Sequence, residues 1–336
     1  MSHLLITLPG LEQIVAQEVK RKGGIIVNSA RGRVLASKLV STNLRTIESI
    51  AEVLVHCKIS DTSRKSLRHL IRELLRSSEK VRNAIPSSAK ITVKSAVYSK
   101  PKPIDYKTLE IIAARELARV YEVKLSPKHG GLTLRVEILN EELVIGKVLK
   151  SNLHRRKYTK FKHPAMINPL IAAATAYLAK LSKKDLILDP FCGSGTIPIE
   201  VALTLNCEAQ GSDINSRYVK GALKNAKEAN ATAQVNFFTS AISKLGVKRR
   251  YTTIITDPPR GMRLQVEDLS SIYRELAMAA RNALVDSGKL IVAVLREARK
   301  ISSRKLGEVG FKLIKELSIL QGGVNVYIQY FEKESK

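Results

Sequence analysis

The chain has 336 residues, enough at ~150 residues per domain for two domains or three, and 44% of them are hydrophobic, which excludes wholesale disorder. Its 57 Lys+Arg against 30 Asp+Glu leave a net charge of +27 and point to a polyanionic partner. Cys57, Cys192 and Cys207 form no CxxC pair, no apolar run approaches the ~20 residues of a membrane-spanning helix, and the start does not read as a secretory signal; a disulfide scaffold and a Cys₄ zinc site are excluded, and a soluble protein of the cytoplasm is expected.

In chain order, residues 1–45 read as strand (Leu4–Thr7), helix (Leu11–Lys22), strand (Gly24–Asn28) and strand (Arg33–Leu39), a small α+β unit. Residues 46–150 carry a helix over Arg64–Ser77, a β-rich run at Lys90–Tyr98 and a helix from Asp105 to Tyr121. Two strands, Leu132–Leu139 and Glu142–Lys147, then flank Asn140-Glu141 as a hairpin would. A basic linker, Lys150–Lys162, leads to a helix over Pro169–Leu181.

From Asp185 onward strands and helices alternate. The strands are Leu186–Asp189, Glu208–Asp213, Val235–Phe238, Tyr251–Asp257 and Lys289–Leu295; the helices are Thr196–Leu205, Arg217–Ala229 and Leu269–Val285. Alternation of this kind builds a parallel sheet with right-handed crossovers. Phe311–Leu320 and Val324–Phe331 are joined by only Gln321-Gly322-Gly323, too short for a parallel crossover, so the last strand is antiparallel. A doubly wound sheet closed in this way is the α/β arrangement of class I methyltransferases.

The positive charge is uneven, with about two-thirds of the excess before residue 164. It is densest at Arg64, Lys65, Arg68 and Arg72, and at Arg155, Arg156, Lys157, Lys160 and Lys162, where no acid occurs between Ser151 and His163 and Tyr158 and Phe161 are interleaved. These residues, with Lys94, are the expected nucleic-acid contacts.

Two motifs carry chemistry. Asp189-Pro-Phe-Cys-Gly193-Ser-Gly195-Thr196 lies where a strand turns into a helix, and Asp213 ends the next strand 20 residues after Gly193. Glycines admit a ligand close to the backbone, the helix N-terminus offers N–H groups, and the spaced carboxylate accepts from ribose hydroxyls. A nucleoside-containing cofactor is expected. NAD(P) calls for a third glycine where this chain has Pro198, whereas S-adenosylmethionine has no pyrophosphate and does not need it. Thr256-Asp257-Pro258-Pro259-Arg260-Gly261 ends the fourth strand; two prolines remove two donors and leave carbonyls and a carboxylate, an acceptor-only cluster suited to an exocyclic amine.

The run Asp189-Pro-Phe-Cys-Gly-Ser-Gly-Thr-Ile-Pro-Ile-Glu200 and the Asp257-Pro-Pro turn resemble the cofactor and catalytic motifs of the THUMP-domain RNA guanine-N2 methyltransferases, and His163-Pro-Ala resembles their segment that packs over the cofactor. The resemblance implies a ferredoxin-like domain at 1–45, a THUMP RNA-binding domain at 46–150, a linker at 151–168 and a Rossmann-like methyltransferase at 169–336. It implies a catalytic set of Asp257, Pro258, Pro259 and Arg260. The implied cofactor set is His163, Pro164, Asp189, Pro190, Cys192, Gly193, Ser194, Gly195, Thr196, Asp213, Ile214, Ser240 and Ala241. The substrate it implies is guanosine 6 of the tRNA acceptor stem, with guanosine 10, an rRNA guanine, a DNA amine or a catalytically silent RNA-binding role as alternatives. Two positions depart from the family pattern: Arg260 stands where an aromatic usually follows the prolines, and Ser240 near where an Asp often meets the adenine amine. His56, His69 and His129 have no partner at metal spacing, so no metal is expected. The oligomeric state is left open, a monomer being favoured.

Overall fold

The structure, a computed structural model, describes residues 1–86, 89–98, 104–126, 131–245, 250–259 and 266–334. The chain divides into two units, Met1–Thr7 with Glu18–Leu153 and Leu8–Gln17 with His154–Lys336.

Among the described residues the first unit has one mixed sheet of eight strands: β1 (His3–Ile6), β2 (Ile25–Ala30), β3 (Arg33–Lys38), β4 (Ser49–Lys58), β5 (Lys90–Tyr98), β6 (Lys124–Leu125), β7 (Leu132–Leu139) and β8 (Glu142–Lys150). Their order is β2-β3-β1-β4-β8-β7-β5-β6. The boundary expected at residue 45 is therefore not a boundary between sheets. The strand responsible, β4, was not anticipated; it pairs antiparallel with β1 on one side and β8 on the other. Three helices, α2 (Arg64–Ser77), α3 (Glu79–Ala84) and α4 (Tyr106–Tyr121), complete the unit. Leu67, Ile71 and Leu75 recur at four-residue spacing on α2 and are buried with Leu109, Ile112 and Leu117 of α4. Ser63 and Asp105 cap the two helices by accepting the Ser66 and Thr108 N–H groups. Buried Glu137 on β7 is held by Arg33 of β3 at 2.6 Å and by its neighbour Arg135.

Helix α1 (Glu12–Arg21) spans the division between units, so residues 1–45 do not form a self-contained fold. Leu11 and Ile14 are buried in the second unit's main core, and the Leu320 N–H donates to the Pro9 carbonyl at 2.9 Å. Gly10, at φ +105°, lies so close to the Ser318 carbonyl that a Cβ there would strike it.

The second unit runs α5 (Pro169–Leu178), β9 (Leu186–Asp189), α6 (Thr196–Leu205), β10 (Glu208–Asp213), α7 (Ser216–Glu228), β11 (Val235–Thr239), β12 (Tyr251–Thr256), α8 (Val266–Ala283), β13 (Leu284–Val294), α9 (Arg299–Gly307), β14 (Phe311–Gln321) and β15 (Val324–Lys333). Its sheet has the order β11-β10-β9-β12-β13-β15-β14. Neighbours from β11 to β13 are parallel, and β15 is antiparallel to both β13 and β14. This is the class I methyltransferase sheet, with the antiparallel closure that the short Gly322-Gly323 link demands. Helix α9 is an addition to the elements read from the sequence.

Candidate active site

Strand β9 pairs with β10 on one side and β12 on the other, so the order of connection reverses at β9. In such sheets ligands bind beyond the carboxyl ends of the strands at the reversal. Because β9 to β12 are parallel, that one edge collects Asp189 at the end of β9, Asp213 at the end of β10, Ser240 after β11 and Asp257 after β12.

The turn from β9 to α6 is built around Gly193 (φ +50°) and Gly195 (φ +77°), both in the region that side chains disfavour. A Cβ on Gly195 would lie 2.7 Å from the Phe237 ring and 2.9 Å from Ala222. The Gly193 N–H donates to Asp213 Oδ2 at 3.1 Å, and the Asn215 N–H donates to Oδ1 at 2.9 Å, which fixes the carboxylate at the loop. The Cys192 N–H donates to the Ser212 carbonyl and the Gly195 N–H to the Cys192 carbonyl. Burial pushes the Cys192 thiol far up, out of the thiolate range that a nucleophile needs. Pro190, Ser194 and Thr196 are buried beneath the turn, and Ile214 beyond β10 is 75% exposed. The Ser240 N–H donates to the Asp213 carbonyl, and the Ser240 hydroxyl donates to the Ala241 carbonyl at 3.1 Å.

Asp189 is fully buried and ties the two motifs together. It accepts the Thr256 hydroxyl at 2.7 Å and the Phe191 N–H at 3.1 Å, so the end of β9 is fastened to the residue preceding Asp257. Burial pushes its carboxyl up to about 7, and the charges of Asp257 and Asp213 add to the rise. Asp189, Asp213 and Asp257 thus feel one another at one edge of the sheet.

The basic segment before α5 alternates. Arg155, Lys157, Lys160 and Lys162 are exposed, whereas Arg156, Tyr158, Phe161 and His163 turn inward. Arg156 is one of two expected phosphate contacts whose guanidinium hydrogen-bonds a buried carboxylate: it makes a two-pronged pair with Glu200 of α6, at 2.8 and 3.1 Å. The Tyr158 hydroxyl donates to the same carboxylate at 2.6 Å. The other is Arg72, whose guanidinium is tied to buried Glu116 at 2.7 Å and holds that carboxyl below the usual range. Desolvated carboxylates inside the fold have claimed both cations. Arg64, Lys65 and Arg68 are exposed on α2, and Lys94 is half-buried on β5. Lys160 reaches Glu228 at 3.8 Å while staying half exposed. His163 packs edge-on to Tyr218, 4.4 Å between ring centroids, beside Gly193; Pro164 is exposed. Arg260, Gly261 and His129 lie outside the described residues.

Sequence reasoning missed Glu200 as a structural anchor and Asn225 altogether. The available signal was a polar residue within the buried stripe Val219, Ala222, Asn225, Ala226 of α7.

A family model described as an RMKL-like methyltransferase domain matches residues 156–316, a span that ends inside β14 and leaves out β15. A second model, a DNA methylase, matches 69–224, a span that ends before β12 and so omits Asp257-Pro-Pro. The chain is 23% identical over 363 residues to the tRNA (guanine(6)-N2)-methyltransferase of Archaeoglobus fulgidus, covering 96% of this chain and 90% of that protein. It is 31% identical over 136 residues to a protein of Methanothermococcus thermolithotrophicus named "Probable tRNA (guanine(10)-N2)-dimethyltransferase", covering 38% of this chain and 80% of the relative. The chain belongs to the RNA guanine-N2 methyltransferase family. The fold of this methyltransferase is shared with the TrmN crystal structure from Thermus thermophilus, at TM-score 0.80, 23% identity and 99% coverage of both chains. S-adenosylmethionine is its cofactor, and the residues present fit it: a glycine turn that a Cβ would obstruct, the Asp213 carboxylate fixed at that turn by two N–H groups, and three carboxyl groups that feel one another at one edge of the sheet. Among the described residues no helix is long and apolar enough to cross a membrane.

Proposed function

We propose that this protein methylates the exocyclic amine of guanosine 6 in the tRNA acceptor stem, in the cytoplasm, using the Asp257-Pro258-Pro259 turn as its catalytic element. The observation that carries the reading is the hydrogen bond from Thr256 to Asp189, which fastens the acceptor-only turn to the cofactor strand. Position 6 is preferred because the relative that aligns over nearly the whole chain is named for that position. Position 10 is the second reading, supported by a relative of higher identity over a shorter span.

When bound, S-adenosylmethionine supplies an electrophilic methyl carbon on a positively charged sulfur. Asp213 would hold the ribose hydroxyls, Gly193–Gly195 would receive the cofactor at the start of α6, and His163, packed beside Gly193, would flank it. Pro258 and Pro259 have no N–H, so the turn presents acceptors only. Asp257 accepts one N–H of the guanine amine and thereby directs the nitrogen lone pair away from itself. As the new N–C bond forms at the expense of the methyl–sulfur bond, whose electron pair would leave the sulfur neutral, the nitrogen becomes acidic, and Asp257 takes the departing proton. Alignment supplies most of the acceleration, since effective molarities of ~10⁵ M or more accompany such placement. The first unit and the exposed cations Arg155, Lys157, Lys160 and Lys162 hold the RNA through its phosphates, and extrusion of the guanine from its stem costs a few kcal/mol.

The test is methyl transfer from labelled S-adenosylmethionine to tRNA transcripts, followed by mass spectrometry of nuclease fragments. N2-methylguanosine at position 6 is expected. A label at position 10 would move the assignment, and a label confined to rRNA, or none, would refute it.

A further inference from the structure

The inward face of the segment 156–163 meets α7 through two residues that catalysis does not call on. Asn225 is 1% exposed, and its amide makes four hydrogen bonds. Its Oδ1 accepts the Lys160 and Phe161 N–H groups, both at 2.9 Å. Its Nδ2 donates to the Phe161 carbonyl at 2.8 Å and to the Ser194 carbonyl at 2.9 Å. All of the hydrogen-bonding capacity of one amide is used to join this strap to the middle residue of the Gly193-Ser194-Gly195 turn. One turn earlier on α7, Gly221 leaves the space that the Phe161 ring occupies; a Cβ there would overlap the ring. Ala222 between them closes on Gly195, and Tyr218 supports His163 beside Gly193.

We propose that Asn225 is a positioning residue for the cofactor: it sets the Ser194 carbonyl, and with it the glycine turn, by locking the inward face of the strap onto α7, while the outward cations of the same strap serve the RNA. The Ser194 peptide lies between two glycines with positive φ; the Gly193 and Gly195 N–H groups on either side are held by Asp213 and the Cys192 carbonyl, and the buried Ser194 carbonyl needs a hold of its own. Asn225 supplies that hold from a rigid helix. The two faces of the strap then have separable effects, one on the cofactor and one on the RNA.

Because the inference rests on the methyltransferase reading, the first measurement is binding of S-adenosylmethionine to the wild-type chain by calorimetry. No binding there would remove the function and this inference together. With wild-type binding in hand, two variants test the inference. Asn225→Asp keeps the shape and the acceptor but turns a carboxylate oxygen toward the Ser194 and Phe161 carbonyls. Gly221→Ala favours the helix, yet its methyl displaces the Phe161 ring. Both are expected to weaken S-adenosylmethionine binding and raise its KM by about tenfold or more, the loss of one to two buried hydrogen bonds. At saturating cofactor, kcat and tRNA affinity are expected to stay within about twofold of wild type. The outward triple variant Arg155→Gln, Lys157→Gln, Lys162→Gln is expected to do the reverse, weakening tRNA and sparing S-adenosylmethionine. A merely structural Asn225 would lower the melting temperature or the active fraction without moving the KM. Unchanged cofactor affinity in both variants, or a fall in kcat with unaltered KM, overturns the proposal. If Asn225→Asp does not fold, Gly221→Ala decides by the same two outcomes.

Discussion

Replacing Arg156 with methionine removes a guanidinium while keeping much of its stem volume. Its partner Glu200 is 0% exposed and takes two N–H bonds from it. The Arg156 side chain is itself only 10% exposed, so water screens the pair little. Breaking such a pair costs about 3–5 kcal/mol, because a buried charge loses its counter-ion. A destabilisation of about 3–5 kcal/mol corresponds to a fall of roughly 6–20 °C in melting temperature for a unit of this size. Thermal melts provide the assay, and Arg156→Met with Glu200→Gln should recover most of the loss. A penalty under about 1 kcal/mol, or a double variant no more stable than Arg156→Met, would refute a buried structural pair and return Arg156 to the RNA contacts.

Asp257→Ala should reduce kcat by roughly 10²-fold or more while cofactor binding survives; single-turnover assays showing the wild-type rate would eliminate its catalytic role. Asp213→Ala should instead weaken S-adenosylmethionine binding, and equal affinities in calorimetry would contradict the ribose assignment. Asp189, with its carboxyl raised to about 7, retains a proton between pH 4 and 7 that the unfolded chain releases. A cationic ligand favours its ionised form, so binding near pH 6.5 should release a proton, cofactor affinity should rise with pH, and Asp189→Asn should abolish both effects. Identical binding enthalpies in buffers of different ionisation enthalpy would count against this. Removing the charges of Arg155, Lys157 and Lys162 should flatten the dependence of log Kd for tRNA on log salt by roughly 2, at ~0.7–0.9 per phosphate contact; an unaltered slope would take the outward face of the strap out of the interface.

Much of the second unit was legible because its signals are local. The strand–turn–helix at Asp189–Thr196, the spacing to Asp213 and the double proline after Thr256 each depend on a few adjacent residues. The closing hairpin followed from the length of one turn. By contrast β4, Ser-Ile-Ala-Glu-Val-Leu-Val-His-Cys-Lys, is buried on both faces over much of its length and lacks the alternation that marks a half-exposed strand. Helix α9 buries only Ser302 and Leu306, too faint a stripe to distinguish a helix from a loop.

The amino-acid order by itself determined the alternation of strands and helices, the glycine turn, the donor-free Asp-Pro-Pro end and the excess of positive charge, since each is a property of neighbouring residues. Only the tertiary structure decided which cations were already engaged, that residues 1–45 and 46–150 share a sheet, and that Leu11 and Ile14 belong to the core of the second unit. Those outcomes depend on pairings between residues far apart in the chain. Arg156 and Lys157 are adjacent and alike in sequence, yet a buried carboxylate 44 positions beyond Arg156 turns one inward and leaves the other facing solvent.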